Sequence, residues 1–193
     1  MIVTITGGAR SGKSSFAERW CMKHAKSGIY VATAQAFDDE MRERISLHRL
    51  QRTESGFQWD TTEEPLRLVE LLDKLAKDET MPNDESNKSS VVLVDCLTLW
   101  LSNVLLTSEN KPDVDEMVHS EIDALVEAVS NYQGDLVMVT NEVGSGIVPQ
   151  YPLGRKYRDL AGMLNRKMAQ VSDQVFLVTA GIAIELKSRE YLI

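Results

Sequence analysis

The apolar run Ile2–Thr6 leads straight into Gly7-Gly8-Ala9-Arg10-Ser11-Gly12-Lys13-Ser14, and a helical pattern begins at Lys13. This order of strand, glycine loop and helix, spaced G-x-x-x-x-G-K-[ST], constrains the chain more than any other feature. The glycines let backbone N–H groups curl around phosphate oxygens without Cβ clashes, and the helix that follows aims its positive end at the same anion. The spacing therefore predicts a loop that grips the phosphates of a purine nucleoside triphosphate, with Lys13 at the β- and γ-phosphates and Ser14 as a ligand of Mg²⁺. The plainer alternative is a glycine turn capped by Ser14, but a strand before it and a helix after it are the context that phosphate binding requires.

Short β-branched runs alternate with longer helical patterns along the rest of the chain, as βαβ units do. Strands are predicted at Ile2–Thr6, Ile29–Thr33, Val91–Asp95, Leu136–Asn141 and Val175–Thr179. Helices are predicted at Lys13–Ala25, Asp38–Leu50, Glu63–Lys77, Asp113–Asn131 and Arg155–Val171. Together with the phosphate loop, this pattern predicts an α/β fold of the P-loop NTPase (RecA-like) class, a mostly parallel sheet flanked by helices on both faces. The stretch 77–90 is almost wholly polar and contains Pro82, so it reads as a solvated loop. A chain of 193 residues without internal repeats is expected to form one catalytic domain, 1–193.

Composition narrows the partners. A net charge of −8 argues against nonspecific binding to nucleic acid, whose phosphates demand a basic face. Phosphate binding must therefore be local. No apolar run is long enough for stable membrane insertion, and the N-terminus lacks the basic stretch and apolar run of a signal peptide, so the cytoplasm is the expected location. Cys21 and Cys96 have no metal-type spacing and sit in apolar stretches, as buried free thiols do.

Two further positions carry candidate chemistry. Asp95 ends the apolar run Val91–Val94, where a carboxylate can hold Mg²⁺; an Asp at a strand end is also a common cap, and the phosphate loop favours the metal role. His48 lies in a charged helical stretch, sharing a face with Met41 and Ile45. Periodicity alone makes it a partly buried structural residue. Arg44, Arg49 and Arg52 surround it with positive charge suited to holding phosphates beside an imidazole nucleophile, the alternative being a solvated face with pairs such as Glu40–Arg44. His24 and His119 read as surface residues.

Several ordered motifs go beyond a lone phosphate loop. They are the Gly7–Ser14 loop, Ala32-Thr33-Ala34-Gln35, Asp38–Met41, Arg44-Ile45, His48-Arg49, Trp59–Pro65, Asp95–Asn103, Thr140–Pro149 and Arg158–Gly162 with Asn165. Over nearly the whole chain they resemble the adenosylcobinamide kinase/adenosylcobinamide-phosphate guanylyltransferase family of cobalamin assembly. The resemblance implies a bifunctional enzyme that phosphorylates the aminopropanol hydroxyl of adenosylcobinamide with ATP or GTP, and then attaches GMP from GTP. It implies a histidine covalently bonded to GMP, matching His48, and nucleotide contacts at Gly7–Ser14, Thr33, Ala34, Gln35, Arg49, Leu50, Gln51, Arg52, Glu63 and Asp95. It also implies a homo-oligomer, a trimer with sites shared between subunits. The chain departs from the family pattern after Arg52, where Thr53–Gln58 intervenes before Trp59.

Two other readings compete. A plain small-molecule kinase would use Lys13 and leave His48 structural. A GTP-dependent switch normally carries N-K-x-D, and Thr140-Asn141-Glu142-Val143 lacks its lysine.

Overall fold

The computed structural model describes residues 1–36, 39–77, 90–109 and 111–191; within these, the side chains of Glu40, Met41, Arg44, His48 and Gln51 are not described. Residues 78–89 of the solvated loop expected at 77–90, and the helix start expected at Asp38, fall outside the described residues. Strands β1 (Ile2–Gly7), β2 (Ser27–Ala32), β3 (Gln58–Glu63), β4 (Val91–Asp95), β5 (Asp135–Val139), β6 (Gln174–Thr179) and β7 (Ile182–Glu185) form a seven-stranded sheet in the order β3-β2-β4-β5-β1-β6-β7. All neighbours are parallel except β6 and β7, so the mostly parallel sheet is as predicted.

The helices are α1 (Lys13–His24), α2 (Asp39–Glu54), α3 (Leu68–Lys77), α4 (Leu97–Ser108), α5 (Val114–Asn131) and α6 (Pro152–Val171). Side chains alternate across β4: Val91 and Leu93 pack with Trp20 and Cys21 of α1, whereas Val92 and Val94 pack with residues of α3, α4, α5 and α6. Helix α1 therefore covers one face, and α3 to α6 cover the other.

One predicted helix is corrected. Glu63 closes β3 rather than opening a helix, and α3 begins at Leu68. Pro65 disfavours helical backbone at Glu64, and the Glu64 carboxylate then accepts the amide protons of Leu66 (3.1 Å) and Arg67 (2.8 Å), capping the helix a turn later. Three elements carried no usable periodic signal. Helix α4 is apolar on nearly every side and buried, so it shows no stripe. Strands β3 and β7 lie at the two sheet edges and are polar or short. The intervening Thr53–Gln58 stretch becomes the end of α2, a turn at Gly56 with φ 72°, and the first residue of β3.

Candidate functional site

The strand order brings three loops together at the carboxyl ends of β1, β5 and β4. Strand β5 lies between the other two, with Val139 in register with both Ile5 and Asp95. The chain leaves β1 into α1 on one face and, past β5, reaches α6 on the other, so the crevice opens between these strand ends. A cavity of about 450 Å³ occupies this position.

The phosphate loop is held by its own geometry. A Cβ at Gly7 would stand 2.4 Å from the Val178 carbonyl oxygen, and Gly12 adopts φ 91°, so both positions demand glycine. The Gly181 amide, between β6 and β7, donates to the Ser11 carbonyl at 2.9 Å and braces the loop from behind. Lys13 is buried, and its Nζ donates to the Gly8 carbonyl at 3.0 Å, keeping the ammonium inside the loop's curve.

Of the predicted site residues, Ala9, Lys13, Ser14, Ala34, Arg49, Arg52 and Asp95 line the cavity together. The Tyr30 hydroxyl donates to Asp95 Oδ2 at 3.0 Å. Burial, then the Asp95 charge, holds the Tyr30 phenol above its ordinary range, so it remains a donor. The Arg52 guanidinium carbon lies 3.6 Å from the centroid of the Tyr30 ring, and Arg52 Nη1 stands 3.7 Å from Glu18 Oε1. Burial raises the Glu18 pKa despite the Arg52 charge beside it. A chain of contacts thus runs from Glu18 through Arg52 and Tyr30 to Asp95.

Other predicted residues sit differently. Thr33 is fully buried, and its hydroxyl donates to the Cys96 carbonyl and accepts from the Cys96 amide, both at 2.8 Å. Its side chain ties β2 to the start of α4. Glu63 is exposed and ion-pairs with Arg49 at the outer edge. Leu50 is 55% exposed. His48 falls in α2 between Ile45 and Arg49, both of which line the cavity; the histidine side chain lies outside the described residues.

Tyr30, Cys96, Asn141 and Glu142 also line the cavity, though the sequence did not single them out as site residues. Burial, with the Asp95 charge adding to it, pushes the Cys96 thiol up to about 11, so it is neutral at pH 7. Asn141 Nδ2 donates to Thr98 Oγ1 at 2.7 Å, Asn165 Nδ2 to the Asn141 carbonyl at 3.0 Å, and Thr140 Oγ1 to Asn165 Oδ1 at 2.6 Å. These bonds lock the end of β5 to α4 and α6. Inclusion of Thr140–Pro149 and Asn165 among the ordered motifs was the available signal for this brace.

Residues 3–186 match the family model described as cobinamide kinase / cobinamide phosphate guanyltransferase. The chain is 40% identical over 183 residues, 95% of each chain, to the bifunctional adenosylcobalamin biosynthesis protein CobP of Pseudomonas aeruginosa. It is 37% identical over 195 residues to CobU of Escherichia coli K12, covering 97% of this chain and all of that one. Among solved structures, the fold is similar to a prototypical ATPase of a bacterial type III secretion system, with a TM-score of 0.54 and 12% identity, over 99% of this chain and 58% of that one. It is also similar to a protein from Pyrococcus horikoshii OT3, with a TM-score of 0.51 and 13% identity, over 95% of this chain and 84% of that one.

Proposed function

The chain belongs to the cobinamide kinase / cobinamide phosphate guanyltransferase family, and from that premise we propose how its residues divide the two reactions. It phosphorylates adenosylcobinamide with ATP or GTP and then transfers GMP from GTP to the phosphorylated product. In the first reaction Lys13 and the amides of Gly7–Ser14 hold the triphosphate, and the γ-phosphoryl group passes to the substrate hydroxyl. In the second, the His48 imidazole attacks the α-phosphorus; an N–P bond forms, the bond to the bridging oxygen breaks, and pyrophosphate leaves. A phosphate oxygen of the cobinamide phosphate then displaces the imidazole, giving adenosylcobinamide-GDP. Splitting the transfer replaces one barrier with two smaller ones.

One observation carries this reading: Lys13, Ser14 and Asp95 line the same cavity as Ile45, Arg49 and Arg52 of α2, the helix that contains His48. The donors suit Mg²⁺, a hard cation held by one or two protein oxygens plus phosphates, since Ser14 and Asp95 line the same cavity. Ser14 and Asp95 would hold the ion, which would neutralise charge on the phosphates. Thr33, Ala34, Gln35, Leu50, Gln51 and Glu63 complete the proposed nucleotide-binding set.

The proposal further takes the chain as a single catalytic domain that works in the cytoplasm as a homotrimer; among the described residues no helix is long and apolar enough to cross a membrane. The deciding experiment incubates the protein with GTP labelled at the α-phosphate. Label should appear on protein, be lost in acid and be kept in base, as for a phosphoramidate on imidazole. Label that resists acid, or that maps to His24 or His119 by mass spectrometry, overturns the assignment.

A further inference from the structure

We propose that Glu142 is the proton acceptor of the kinase step; this rests on the kinase reading above and names a residue that reading leaves open. Transfer of the γ-phosphoryl group to an alcohol needs a group that takes the hydroxyl proton as the oxygen attacks, placed where acceptor and phosphate meet. Among the described residues, two acidic side chains line the cavity, Asp95 and Glu142. The Tyr30 hydroxyl donates to Asp95, whose place beside Lys13 and Ser14 suits the metal. Glu142 makes no salt bridge among the described residues, and one of its carboxylate oxygens accepts the Gly144 amide proton at 3.0 Å.

The backbone fixes Glu142 against the phosphate loop. Its amide donates to the Gly7 carbonyl at 3.0 Å, continuing the β1–β5 pairing beyond the end of β5. The residue before it is locked by the Asn141–Thr98 bond and by Asn165. Glu142 thus stands at the paired carboxyl ends of β1 and β5, on the lining of the cavity. The stretch that follows carries two exposed apolar side chains, Ile147 (96%) and Val148 (56%). The acceptor carries a corrin ring far larger than its reacting hydroxyl, so most of it lies outside a cavity of about 450 Å³ that also takes the triphosphate.

In the step itself, the substrate hydroxyl oxygen forms a bond to the γ-phosphorus and its proton passes to the Glu142 carboxylate. The bond from the γ-phosphorus to the β–γ bridging oxygen breaks, and the nucleoside diphosphate leaves with the electron pair. Glu142 then returns its proton to water.

The test compares the full chain with Glu142→Gln and Glu142→Asp in three reactions: phosphorylation of adenosylcobinamide, formation of the acid-labile GMP adduct, and conversion of pre-phosphorylated adenosylcobinamide. Glu142→Gln should slow phosphorylation about 100-fold or more while the other two reactions stay within about threefold, and Glu142→Asp should recover part of the loss. Phosphorylation by Glu142→Gln within about threefold of wild type overturns the proposal. So does loss of all three reactions in both variants, which would make Glu142 a structural brace. If wild type forms no adduct yet Glu142→Gln still selectively loses phosphorylation, the histidine mechanism fails and Glu142 stands. A wild-type protein that phosphorylates no cobinamide removes both.

Discussion

Where the phosphate loop lines the cavity, it extends from strands with wholly buried side chains, Ile5, Val94 and Val139 among them, whereas α2, which lines the same cavity, has Arg52 as its buried residue among those described. Arg49 on that helix faces solvent in its pair with Glu63. Apolar burial of this kind stabilises by about 25 cal/mol per Å², so the phosphate loop inherits the rigidity of the core. Helix α2 is instead held near its end by a cation stacked on a tyrosine and paired with Glu18. The difference suits the two reactions. Phosphoryl transfer depends on fixed positioning, while a nucleotidyl carrier must present its phosphoramidate to a second substrate after the first has gone.

The contrast can be broken or sharpened by substitution. Lys13→Ala on the rigid wall should lower both reactions about 1,000-fold, because each uses the same triphosphate site; near-wild-type turnover would separate the loop from the chemistry. His48→Ala in α2 should abolish the GMP adduct and GDP-cobinamide formation while the phosphorylation rate remains within a fewfold of wild type, measured by separating the corrinoid products. Equal loss of both reactions would instead make α2 part of the kinase.

Smaller effects test how α2 is anchored. Arg52→Ala leaves Glu18 buried without its cation, and should cost about 3 kcal/mol in urea unfolding, most of it recovered when Glu18→Gln is added. A loss near zero would place the anchor elsewhere on the helix. Asp95→Asn keeps the side chain's shape and should raise the Mg²⁺ concentration for half-maximal phosphorylation about tenfold, with the melting temperature nearly unchanged. Unchanged magnesium dependence with a lowered melting temperature would show that Asp95 is a cap held by Tyr30.

What was legible in the sequence was local. Gly7–Ser14 encodes its own backbone path, since the glycines permit conformations that other residues resist, and the helix after it supplies the charge complement within one turn. Val91–Asp95 declared a buried parallel strand ending in a carboxylate because the run is short, apolar and β-branched. Helix α4 stayed hidden for the opposite reason: an all-apolar helix has no period to detect.

Tertiary structure alone decided what stands beside what. The insertion of β5 between β1 and β4 brings Asn141 and Glu142 to the phosphate loop from more than a hundred residues away, through backbone hydrogen bonds that carry no side-chain signature. The burial of Arg52 likewise depends on Tyr30 from β2 and Glu18 from α1, so a residue that the sequence offers as a phosphate-holding cation also anchors its helix. Local spacing determines backbone shape, because neighbouring residues share dihedral constraints. Adjacency across the sheet follows from the burial of the whole core, which no segment specifies by itself.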